Sequence, residues 1–170
     1  MAIWQFHFDL LPRDWVAANR DKIVATKSDD EWDNENGWDP SPAWAGHSID
    51  DNLLKELDEI LPRSKHWSPE CYYWKSHQHD SDITLSPNGS DIDSLSVRLD
   101  LRGDVRELIS DISAFAVQRQ YELFATEVGK FCKADAPSLA EYATQSRAAS
   151  FAKNPSGYIA DLAKELDDRE

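Results

Sequence analysis

Apolar and polar positions alternate from the start of the chain: Trp4, Phe6, Phe8 and Leu10 fall on one side, Gln5, His7 and Asp9 on the other. A period of two predicts a half-buried strand. Pro12 ends it, and Asp14 then caps a short helix reaching about Val24. Helical spacing returns in Leu53, Leu54, Leu57, Ile60 and Leu61, which predicts a helix over 48–61 with Ser48, Asp50 and Asp51 at its positive end. Three strand-like runs follow at 71–78, 82–86 and 94–102, with a reversal at Pro87-Asn88-Gly89 between the last two. The third run is the most regular, setting Leu95, Val97, Leu99 and Leu101 against Ser96, Arg98, Asp100 and Arg102. Gly103-Asp104 ends it and opens a helix to Gln118, with Val105, Leu108, Ile109, Ile112, Phe115 and Ala116 as its apolar stripe and Arg106, Glu107 and Asp111 outside. Residues 121–128 read as a last strand. A helix carrying Leu139 and Tyr142 follows Asp135-Ala136-Pro137, and after the break at Asn154-Pro155-Ser156-Gly157 a terminal helix holds Tyr158, Ile159, Leu162 and Leu166.

The order β-α-α-β-β-β-α-β-α-α needs a sheet with one buried face and helices to cover it. The predicted fold is α+β in two layers, a mostly antiparallel sheet of about five strands with amphipathic helices on one face. Its open face would carry Gln5, His7, Asp9, Ser96, Arg98, Asp100 and Arg102. The 170 residues suit one domain, and neither an internal repeat nor a linker divides them. Residues 28–47 have no sustained period and form a long loop.

Composition narrows the class. A hydrophobic fraction of 41% with seven Trp excludes a wholly disordered chain. No run approaches the roughly 18 apolar residues of a membrane span, and the first residues lack the pattern of a secretory signal, so a cytoplasmic location is expected. The formal charge of −14 argues against direct binding of nucleic acid, whose phosphates call for Lys and Arg. Cys71 and Cys132 are too few and too far apart for a disulfide framework or a zinc site.

No catalytic motif or phosphate loop stands out, and no cofactor is implied. His77 and His79 share one side of a strand and, with Asp80 or Asp82 and His66 or His7, offer a set that a metal could use; a solvated strand end accounts for the same spacing. Arg98, Asp100 and Arg102 could hold an anion, but an ion-pair ladder with Asp9 or His7 is the expected arrangement. The charge map says more. Residues 28–54 contain no Lys or Arg and carry Asp29, Asp30, Glu31, Asp33, Glu35, Asp39, Asp50 and Asp51, a contribution of −8. Trp32, Trp38 and Trp44 punctuate that stretch. Acid for steering and Trp for anchoring make Asp29, Asp30, Glu31, Trp32, Asp33, Glu35, Trp38 and Asp39 the candidate surface for a basic protein partner. The competing account is that the Trp side chains pin the loop to its own core while the acids maintain solubility.

The opening Trp4-x-Phe6-x-Phe8-x-Leu10-x-Pro12, the strand Val97-Arg98-Leu99-Asp100-Leu101-Arg102 and the run Ser146-Arg147-Ala148-Ala149-Ser150-Phe151 followed by Pro155 are similar to strings in small bacterial proteins. In size, acidity and α+β make-up the chain resembles immunity proteins, which protect a bacterium from its own or a neighbour's toxin. The resemblance implies a non-catalytic binding protein that neutralises a basic toxin, and it carries over no residue-level site. The alternative is a small enzyme or metal-dependent protein using the His77/His79/Asp80 region. For a chain kept in a reducing compartment, thiol titration of the unfolded protein, prepared without reductant and blocked by alkylation, should find two reactive groups. Finding none would mean a bridge.

Overall fold

The computed structural model describes residues 4–25, 39–126 and 129–159. Its elements, in chain order, are β1 (Gln5–Pro12), α1 (Arg13–Ala25), a 3₁₀ turn (Ser41–Trp44), α2 (Asp51–Ile60), β2 (Arg63–Ser64), β3 (Tyr72–Lys75), β4 (Asp82–Asn88), β5 (Asp91–Asp100), α3 (Arg106–Gln118), β6 (Tyr121–Ala125), β7 (Lys130–Cys132), α4 (Ala136–Gln145) and α5 (Arg147–Lys153). The strands form one antiparallel sheet in the order β2-β3-β4-β5-β1-β6-β7. The fold is the α+β arrangement that the alternation predicts, extended by two short strands that it does not reveal and with one helix, α1, on the other face of the sheet.

Register explains the core. Phe6 lies opposite Leu99 and Phe8 opposite Val97, while Ile83 and Leu85 of β4 continue the row to Trp74 and Tyr72 of β3. On the other side Leu10 faces Leu123, which faces Cys132. These side chains share one face and, with Leu53 and Leu57 of α2, Leu108, Ile112 and Phe115 of α3, and Leu139 and Ala143 of α4, make up one buried apolar cluster. Trp44 joins it, edge-on to Tyr121 with ring centroids 5.1 Å apart, and Tyr121 meets Phe115 in turn at 5.8 Å. α1 covers part of the opposite face at the β6–β7 edge. There Arg20 lies 4.7 Å above the Phe131 ring, and Arg13 and Arg20 both face Glu122 at 3.4 Å.

Local signals set several boundaries. Asp50 caps α2 by accepting the Leu53 N–H at 2.6 Å, so the helix starts at Asp51 rather than near Ser48; Ser48 instead bridges to Asp91. Pro87 and Asn88 belong to the β4–β5 ladder, and the chain reverses at Gly89 and Ser90, with Gly89 at φ +65° where a Cβ would be strained. Asp104 does not cap α3. Its carboxylate takes the Arg106 N–H and pairs with the Arg106 guanidinium, leaving Val105 at the N-cap. Asp135 and Ser146 do cap α4 and α5, accepting from Ser138 and Ala149. Both cysteines are free thiols, Cys71 half-buried and Cys132 buried. No helix among the described residues is long and apolar enough to cross a membrane.

Leu99 is fully buried, and Leu99→Ala should cost about 2–5 kcal/mol in urea unfolding. From the sequence, Arg98→Ala looks mild. The structure changes that expectation, because Arg98 pairs with an Asp82 carboxylate that is 2% exposed. Removing the guanidinium strands a buried charge, a loss of about 3 kcal/mol, the low end for buried pairs because Arg98 is itself one-third exposed. That loss should shrink as pH falls and the orphaned Asp82 takes up a proton; an Arg98→Ala deficit that does not change between neutral and acidic pH would contradict it.

Candidate functional site

On the sheet face turned away from the core, the register sets one polar side chain from each of four strands in a row. Lys75 of β3 faces Asp82 of β4, Asp82 faces Arg98 of β5, and Arg98 faces His7 of β1. Arg98 grips Asp82 in a fork, Nε to Oδ1 at 2.9 Å and a terminal nitrogen to Oδ2 at 2.8 Å, and the Tyr73 hydroxyl bonds the same carboxylate. Burial nevertheless raises the Asp82 carboxyl above its ordinary value. The ladder expected for Arg98 is therefore present, but its carboxylate comes from β4 and not from Asp9. Asp9 lies 3.6 Å from the Nε2 of His7, two residues away on the same strand. The other ring nitrogen, Nδ1, is 3.0 Å from the Thr126 hydroxyl. Burial, followed by the charge of Arg98, lowers the His7 pKa to about 4 in spite of the neighbouring Asp9.

The row ends at the 76–81 loop, which Arg102 ties down. Its guanidinium forks onto Asp100 with two contacts of 2.8 Å, reaches Asp80 at 3.1 Å and lies 4.1 Å over the Trp4 ring. Asp100 also accepts the Asp80 N–H, and these bonds, led by Arg102, hold its carboxyl at about 2. Lys75 takes the other Asp80 oxygen at 3.1 Å, and Gln5 bonds the Asp80 carbonyl at 2.7 Å. Gly103 lets the loop come close, since a Cβ there would stand 3.1 Å from that of His79. An open groove of about 620 Å³ lies between this loop and residues 100–103.

His77 and His79 border that groove and a second one of about 310 Å³, walled by Glu59, Asp104, Glu107 and Asp111 and with no Lys or Arg among its described lining residues. The other histidines stand elsewhere: His7 on β1, His47 against Trp44, His66 against Trp67 and Tyr73. Asp80 is already engaged by two cations, and among the described residues no group of His, Cys, Asp and Glu is placed to hold a metal. Asp104, Glu107 and Asp111 recur at helical spacing, a signal present in the sequence; that Glu59 of α2 stands across from them is a tertiary fact.

Of the candidate partner surface, Asp29, Asp30, Glu31, Trp32, Asp33, Glu35 and Trp38 lie outside the described residues. Asp39 is exposed, and its carboxylate accepts the Ser41 N–H at 2.9 Å. Trp44, the third tryptophan of the stretch, is a core side chain with no exposed surface. Comparison with protein-family models, with curated proteins and with solved structures finds no match for this chain.

The pH response of His7 follows from its burial. Its folded pKa, about 4, lies below the ordinary 6.5, so as pH falls the unfolded chain takes up the proton first. Stability contributed by the neutral ring is full above 6.5, is lost between 6.5 and 4, and levels off below. At most about 3 kcal/mol is involved. Asp82 titrates with the opposite sign, so the check is the difference in urea-unfolding free energy between the wild type and His7→Gln: it should fall across this window, and a flat difference would contradict the assignment.

Proposed function

We propose that this chain is a binding protein without catalytic activity, of the immunity type, which neutralises a basic bacterial toxin through an acidic, Trp-bearing surface. The distribution of charge carries this reading. Arg13, Arg20, Arg63, Arg98, Arg102, Arg106 and Arg119 each have a carboxylate of the same chain within salt-bridge distance. These seven arginines are matched inside the molecule, and over the whole sequence acid outnumbers base by 14. Residues 28–54 contribute −8 of that balance, and Glu59, Glu107 and Asp111 wall the groove beside α3 together with Asp104, the last paired to Arg106. Such a surface steers a basic protein toward it over distances set by ionic strength. A toxin that works on nucleic acid needs a cationic cleft, and carboxylates are the groups that cover one.

The direct test is to express the product of the gene immediately upstream alone and together with this chain. Growth arrest relieved by the chain, with a complex that weakens as salt rises, is the expected outcome; arrest that persists with no complex would count against it. Surface plasmon resonance on that complex separates the two parts of the surface. Neutralising Asp29, Asp30, Glu31 and Asp33 together should slow association and flatten its salt dependence. Trp32→Ala or Trp38→Ala should instead speed dissociation, with a loss of about 2 kcal/mol, roughly 30-fold. If the Trp variants unfold by circular dichroism while the charge variants bind normally, the 28–47 stretch is structural.

A further inference from the structure

We propose that Trp67 is a second, preformed anchor for the partner, taking an arginine or lysine side chain of that partner on its indole face; the proposal rests on the reading that the partner is basic. Trp67 is 90% exposed. The other described tryptophans are engaged within the fold: Trp44 and Trp74 are fully buried, Trp15 packs against the core, and Trp4 lies between the Phe151 ring and Arg102. A large indole left in water on a loop is the kind of side chain that carries binding energy when a partner covers it.

The loop presents it in a fixed way. Residues 65–71 join β2 to β3 at one edge of the sheet, where a partner has access. The His66 ring stands 5.1 Å from the Trp67 ring and 5.1 Å from that of Tyr73 on β3, so the indole meets one ring that is itself backed by the sheet. His66 Nδ1 accepts the Ser68 N–H at 3.1 Å, and the Cys71 N–H reaches the Ser68 carbonyl at 3.4 Å, closing the loop on itself. Holding an anchor in place beforehand lowers the ordering cost of binding.

The acidity of the whole chain and the use it makes of its own indoles point to a cation as the occupant. Elsewhere in this chain indole faces take guanidinium groups: Arg102 lies over Trp4 at 4.1 Å and Arg63 over Trp74 at 5.6 Å. Among the described residues no cation lies over Trp67, and its loop carries the exposed Lys65 and Glu70, whose charges cancel. The net charge of −14 raises the local concentration of cationic partners around it. A cation over an exposed indole gains modestly, and more once the partner excludes water.

The probe is a synthetic hexa-arginine peptide titrated into the full chain at low ionic strength, followed by tryptophan fluorescence. Binding should quench an emission component that Trp67→Phe lacks. Trp67→Ala should weaken the peptide about fivefold, while Trp67→Phe, which keeps an aromatic face, should retain most of the affinity. Circular dichroism should be unchanged in both, because the side chain lies outside the core. Equal affinity for wild type and Trp67→Ala, with no quenching, would overturn the anchor and leave the basic-partner reading in place. A wild type that does not bind the peptide even at low salt would overturn both. A concentration-dependent dimer of the free chain that Trp67→Ala abolishes would overturn the proposal by making a second copy the occupant.

Discussion

The position of β1 between β5 and β6 constrains most of the molecule. This strand is hydrogen-bonded on both edges, so its register is set twice, by Phe6 against Leu99 on one side and by Leu10 against Leu123 on the other. One side-chain set fills the core under α3 and α4; the other places His7 and Asp9 beside Arg98. A slip of one residue would exchange them, driving two polar groups into the core and two phenyl rings out of it. The cost of that exchange fixes the sheet around β1 and with it every site built on β4 and β5.

The opposite face is where polar groups are buried and matched. Asp82 and Asp100 are almost wholly covered, and each has an arginine fork on it. Such pairs add little net stability when compared with an apolar filling, but each partner alone is costly, so they specify one arrangement of the strands. Arg102 extends this from strand to loop, joining Asp100, Asp80 and the Trp4 ring. The consequence reaches the surface: arginines held by the chain's own carboxylates are not offered to an outside anion. The polar clusters on this face are occupied by structural bonds.

How much could be read from the chain alone varied with element length. β5 and α3 repeat their apolar period many times, and both lie close to where the pattern places them; β5 runs from Asp91 to Asp100 rather than over 94–102, and the Asp104 carboxylate turns to Arg106. β2 has two residues, β7 three and α5 seven, too few for a period to rise above chance, and none of them was visible. Their existence depends on partners: β7 on Leu123 and Phe124 across the ladder, α5 on the Ser146 cap and the stacking of Phe151 on Trp4. Trp44 shows the same limit from the other side. Its neighbours in sequence are prolines and small residues, yet its ring meets Tyr121 and His47 edge-on, and only packing decides that it is core.

By itself the sequence determined the class of fold, the buried faces of the long strands and helices, and the acidic balance, because alternation and charge are local properties that add along the chain. Tertiary structure decided which carboxylate Arg98 meets, that His7, His47 and His66 stand apart from His77 and His79, that Glu59 closes a groove with Asp104, Glu107 and Asp111, and that Trp67 rather than Trp44 is exposed. Each of these depends on residues brought together across strands or loops from distant parts of the chain. A distance between two side chains is set by the whole packing around them, and no local period records it.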